Sequence, residues 1–120
     1  MNFDDQLSQM VSSVDGAQAA VLMGFDGIPV AEAKADASRT SVQETVVEYS
    51  RILTEAVNIA RAGDLGAVGE LVIGTDRYRL IFRIVDPNYF VVLFLSADSN
   101  IGKGRFILRR AMPAIQRELA

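Results

Sequence analysis

Few residues of this chain have the chemistry of catalysis. It holds no histidine and no cysteine. A Ser-His-Asp relay, a thiolate nucleophile, a disulfide framework and a Cys/His zinc site are therefore excluded. Glycines, carboxylates and arginines remain. Gly102-Lys103-Gly104-Arg105 follows an apolar run, as a phosphate-binding loop does. Such a loop needs G-x-x-x-x-G-K-[ST], with backbone amides around the phosphates and a hydroxyl on magnesium. Gly104 stands where the hydroxyl is required, and no glycine precedes at the right interval. A helix start beside a lysine attracts anions in general. A tight turn and close packing explain the glycines more simply, and no nucleotide or other cofactor is expected.

Two acidic pairs, Asp4/Asp5 and Glu44/Glu48, have the residue type for acid/base or metal chemistry. Asp4 and Asp5 sit at a helix start, where carboxylates suit the dipole. Glu44 completes a capping box with Ser41. Neither pair is assigned a catalytic or metal role. Lys103, Arg105, Arg109, Arg110 and Arg117 place five of the twelve basic residues near the C-terminus. They suit an acidic partner or a phosphate backbone, or they form a solvated helix face whose late cations complement the dipole. Arg77, Arg79 and Arg83 share one strand face with Ile81 and Val85. On a covered face they need partners, from helix carboxylates or by snorkelling to the edge. The sharper alternative is a partner-binding patch, including an arginine supplied in trans to a GTPase.

The 120 residues suit a single domain spanning 1–120. Half are hydrophobic and 22% charged, which excludes disorder and low complexity. The net charge of −3 argues against a dedicated nucleic-acid binder. The acidic start lacks the pattern of a secretory signal, and the longest apolar run, Tyr89 to Leu95, is too short to span a membrane. A cytoplasmic location is the expectation.

Phe3, Leu7, Met10 and Val14 recur at helical spacing, predicting a first helix over about residues 2–13. Ala17–Met23 reads as a strand covered on both faces. Asp26-Gly27 predicts a hairpin turn into a strand over Ile28–Ala33, placed at an edge by Pro29. A polar loop, Ala35 to Thr40, and the Ser41 box precede a long helix to Ala62, closed by Gly63 in the C′ position. Its apolar stripe runs through Val42, Val46, Tyr49, Leu53, Ala56, Val57 and Ala60. Ile52 and Ile59 fall on a flank, so the apolar arc is about 160° wide, against the ~100° that one sheet covers. Strands are predicted over Val68–Thr75, Arg77–Val85 and Phe90–Leu95. Ser99-Asn100 caps a final helix with Ile101, Gly104, Leu108, Met112 and Ile115 inward, kinked or restarted at Pro113. The class is α+β, an antiparallel sheet carrying helices.

This order, together with Val21-Leu22-Met23-Gly24-Phe25-Asp26-Gly27-Ile28-Pro29-Val30-Ala31, resembles the roadblock / dynein light chain family. The capped middle helix and Asn100-Ile101-Gly102 after the last strand are also similar to the family. Pro113 is less typical of it. The resemblance covers essentially the whole chain. It implies a profilin-like αββαβββα fold with strand order 2-1-5-4-3. The middle helix would lie on one face of the sheet and the terminal helices on the other. It also implies homodimers, through paired third strands and antiparallel middle helices. Combined with the helix flank, that makes Ile52, Ala56, Ile59, Val68 and Leu71 the expected interface. Among bacterial members the similarity is to the MglB type, a non-catalytic partner of a Ras-like small GTPase. That group is thought to reposition the GTPase's own residues, which argues against an arginine in trans. The alternative is a passive adaptor in a cytoskeletal, motor or motility assembly. An enzyme or small-molecule sensor would require a polar pocket.

Overall fold

The computed structural model describes residues 2–35 and 42–120. Residues 36–41, which hold the polar loop beyond Ala35 and Ser41 of the expected capping box, lie outside the described residues. Eight elements follow in the expected order: α1 (Phe3–Ser13), β1 (Ala17–Gly24), β2 (Pro29–Lys34), α2 (Val42–Ala62), β3 (Glu70–Gly74), β4 (Tyr78–Asp86), β5 (Tyr89–Ser96) and α3 (Ile101–Leu119). Five antiparallel strands form one sheet ordered β2-β1-β5-β4-β3. β1 and β5 are central and almost wholly buried, which is why both read as continuous apolar runs.

Side-chain alternation sends each strand's residues to two separate cores. On one face Leu7 and Met10 of α1 and Leu108, Met112 and Ile115 of α3 pack on Ile81, Leu93 and Leu95. On the other, Val42, Val46 and Leu53 of α2 pack on Phe82, Phe90 and Val92. The Tyr49 and Phe82 rings meet edge-on, with centroids 6.2 Å apart. A middle helix on one face and two terminal helices opposite is the expected arrangement.

Local chemistry fixes the element ends. The Asn2 side chain accepts from Asp5 N–H at 2.9 Å, and Asn100 from Lys103 N–H at 3.0 Å, so both helices start on a side-chain cap. Asp26 Oδ1 accepts from Ile28 N–H at 3.0 Å, and Gly27 takes φ +86°, which together turn β1 into β2. Phe25 N–H donates to the Asn88 carbonyl at 2.9 Å, tying this turn to the β4–β5 turn.

Four local expectations are corrected. The helix α2 ends in a Schellman motif: Leu65 N–H donates to the Ala60 carbonyl and Asp64 N–H to that of Arg61. The left-handed C′ residue is Asp64, at φ +57°, and Gly63 is the C-cap. β3 begins at Glu70, so Val68 precedes the strand, although Gly69 still accepts from Ile84 N–H at 3.0 Å. β4 is shifted to begin at Tyr78, because Thr75 Oγ1 accepts from the N–H groups of Arg77 and Tyr78 and holds Arg77 in the turn. Finally, α3 does not restart at Pro113. That residue is exposed, so the Arg109 carbonyl that loses its usual donor can face water.

Candidate functional site

The flank of α2 leaves two large apolar side chains in water. Ile52 is 50% exposed and Ile59 61%, while Val46, Leu53 and Ala60 one face away are buried. Ala56 between them is half-buried. These apolar side chains lie among Glu48, Arg51 and Glu55 in a shallow trough along the helix. Arg51 and Glu48 pair at 2.5 Å. A rim of mixed sign lets the surface meet a copy of itself without like-charge repulsion.

β3 pairs only with β4, so its outer edge is open. Leu71 and Ile73 project to the α2 side of the sheet. The open edge and the helix flank thus flank the same core. Val68 does not join them: it lines a cleft of about 680 Å³ between the end of α2 and the two turns. Phe25, Val57 and Ile84 give that cleft a mainly apolar wall, with Arg61, Asp64 and Asp86 at its margin.

The three β4 arginines do not form one free set. Arg83 Nη1 reaches Glu70 Oε2 at 3.5 Å, and Arg105 Nε of α3 reaches Glu70 Oε1 at 2.5 Å. Glu70 therefore ties the edge strand to its neighbour and to α3. The partner is a strand carboxylate, where a helix carboxylate was expected. Arg79 donates to the Thr75 and Tyr78 carbonyls at 2.5 and 3.1 Å. Gly74 stands opposite Arg79, and Gly69, just before β3, lies beside the Arg83 guanidinium. Arg77 is exposed in the turn.

Gly104 meets the sheet directly. A Cβ there would lie 2.8 Å from Leu95 Cδ1 and 3.1 Å from Ile81 Cδ1. The glycine is a point of close helix–sheet approach, as the simpler reading of the Gly-Lys-Gly segment holds. Among the described residues there is no group of three or more metal-ligating side chains.

Two exposed apolar features escaped sequence reasoning. Ile28, just before edge strand β2, and Val30 within it are exposed. The Pro29 signal for an edge also implied that one side of its neighbours would stay uncovered. Phe106 stands exposed on α3 among its arginines.

The sheet order and the helices on both faces define a roadblock-type fold. Comparison with solved structures agrees. The chain is similar to MglC from Myxococcus xanthus, with 39% identity over 98% of this chain and 99% of that one, at a TM-score of 0.72. It superposes on a Roadblock/LC7 domain from Streptomyces avermitilis at TM-score 0.86, with 18% identity over 99% and 98% of the two chains. The gliding protein MglB from Thermus thermophilus gives TM-score 0.84 and 18% identity over 95% of this chain and 85% of that one. No family model and no curated protein sequence matches the chain. The chain belongs to the roadblock/LC7 family of MglB-like proteins.

Proposed function

We propose that this protein is a homodimeric, non-catalytic regulator that binds a Ras-like small GTPase and modulates its hydrolysis of GTP. The observation that carries the reading is the exposed Ile52–Ile59 flank beside the open edge of β3. A two-fold copy buries both isoleucines in each protomer and extends the sheet across β3. One matched structure is described as MglB in a tetrameric arrangement, so assembly of related chains is on record for that protein. No helix of the described residues is long and apolar enough to cross a membrane.

The chain contributes binding rather than chemistry. Arg83 and Arg79 are held by Glu70 and by backbone carbonyls, so neither is poised to reach into another protein's site. Arg77 is the member of that set left for partner contact. The test is GTP turnover by a small GTPase encoded beside this protein's gene, measured alone and with this protein added. Co-elution with a rate change of about tenfold, near 1.4 kcal/mol of barrier, is expected. The absence of both co-elution and a rate change overturns the reading.

A second reading, a passive adaptor, is kept because the sequence likeness to the MglB structures, on whose type the hydrolysis reading leans, is low. Identity is 39% to MglC but 18%, 20% and 10% to three MglB structures. Co-elution with an unchanged rate selects the adaptor. On either reading the isolated chain binds no nucleotide. Titration calorimetry with GTP or ATP is expected to show no stoichiometric heat, and a saturable one-to-one isotherm contradicts that expectation.

A further inference from the structure

We propose that the groove between α1 and α3, on the side of the sheet opposite α2, docks an acidic amphipathic helix of a partner protein. It is independent of the dimer surface. The groove has a volume of about 480 Å³, and its walls include Gln6, Gln9 and Met10 of α1 and Ile107, Arg110 and Ala114 of α3.

Three observations define the occupant. The first is charge. The chain is net negative, yet α3 carries five basic residues against one acid, Glu118. Arg105 is taken by Glu70. Lys103, Arg109, Arg110 and Arg117 are exposed and make no ion pair among the described residues. The two acids of α1, Asp4 and Asp5, lie in its first turn, and the rest of that helix is uncharged. Arg110 lines the groove, Lys103 and Arg117 share its side of α3 by helical spacing, and Arg109 lies on the far side with Arg105, so the lip is basic on the α3 side and neutral on the other, which selects carboxylates.

The second observation is apolar exposure within that basic field. Phe106 is 54% exposed, and helical spacing puts it between Lys103, one turn before, and Arg110, one turn after. A purely solvated charged face has no use for it. An amphipathic helix meets both, its apolar side chains on Phe106 and Ile107 and its carboxylates on the arginines.

The third is an unmet hydrogen bond. Gln6 is only 7% exposed, and its Oε1 is the one buried side-chain oxygen or nitrogen among the described residues with no partner. A buried acceptor left unpaired is destabilising, and such groups are few in folded proteins. An N–H from the occupant's side chain satisfies it once the amide turns into the groove. A concave groove with an acceptor that can turn into it suits a helix and its side chains. A lipid headgroup layer or a nucleic-acid backbone offers phosphates to the arginines and no matching apolar ridge.

The test uses the full chain and a fluorescein-labelled helical peptide of glutamate and alanine, with leucines at i and i+4 and one glutamine on the leucine face. Comparison probes are the same peptide with lysine for glutamate, vesicles of phosphatidylcholine with phosphatidylserine, and duplex DNA. The acidic peptide is expected to bind. Arg110→Glu with Arg117→Glu weakens it about tenfold, while Arg61→Glu, at the end of α2, leaves it unchanged. Gln6→Leu is expected to weaken binding and to raise the thermal midpoint, because it removes both the docking acceptor and the unpaired one. A structural role for Gln6 predicts no such opposition of signs. The proposal is overturned if the acidic peptide fails to bind, if vesicles or DNA bind in preference, or if binding survives either variant unchanged.

Discussion

Ile52→Asp combined with Ile59→Asp is expected to convert a dimer into monomer or aggregate while leaving the protomer folded. Both side chains are at least half exposed in the single chain, so neither substitution opens a hole in the core. Their value lies in the assembly. Burying an isoleucine is worth about 1.5–3 kcal/mol over leaving it in water. A two-fold axis counts each residue twice. An aspartate in the same place leaves a desolvated charge without a partner, which costs more than the lost contact. Light scattering at micromolar concentration reads the mass. Circular dichroism reads whether the helices persist, which separates dissociation from unfolding. A wild-type monomer, or a double variant that stays an unperturbed dimer, removes this flank from the interface. Leu71, on the same side of the sheet, belongs to the proposed interface, and Val68, in the cleft, contributes little to it.

The same helix illustrates what sequence reading reaches. Period and width of the apolar arc are local quantities, so the split between Leu53 inside and Ile52 and Ile59 outside could be drawn from spacing alone. The β1–β2 hairpin was equally legible, because Asp26, Gly27 and Pro29 each act on their own backbone. What escaped was set by distant residues. The left-handed turn at the end of α2 falls on Asp64 rather than on Gly63, and nothing within the segment forbids either choice. Glu70 joins Arg83 on the neighbouring strand and Arg105 on α3, residues 13 and 35 positions away, and no periodicity encodes such a link. Gln6 is the clearest case. A glutamine between aspartate and leucine reads as surface, and its burial follows only once α3 lies across α1. The exposed flank of α2 was therefore visible beforehand, while the α1–α3 groove needed the tertiary structure.

Gly102 and Gly104 are expected to respond to alanine and valine with opposite signs, although they stand two residues apart in one helix turn. At Gly102 the nearest atom to a new Cβ is Asn100 Oδ1 at 3.4 Å, an ordinary contact. Gly102→Ala fits, reduces the freedom of the unfolded chain and improves helix propensity, for a gain of about 0.4–1 kcal/mol. At Gly104 the Cβ would already press on Leu95 and Ile81, both fully buried and in contact with the opposite strands. Gly104→Ala gains the same helical preference but overpacks a finished core, typically by about 1–3 kcal/mol. Gly104→Val adds two more carbons and a β-branch, and is expected to cost more than alanine, because α3 must move off the sheet to admit it. That displacement would also strain the Arg105–Glu70 pair, one residue further along the helix, and through it the attachment of β3. Thermal or urea unfolding measures both substitutions. A loop that served phosphates would need both glycines for close approach of backbone to ligand, and both alanines would then impair binding without a stability difference between them. A stabilised Gly102→Ala beside a destabilised Gly104→Val marks the segment as a helix start with one packing contact. Equal effects at the two positions, or a Gly104→Val variant as stable as the parent, would show that the helix does not approach the sheet as closely as 2.8 Å requires.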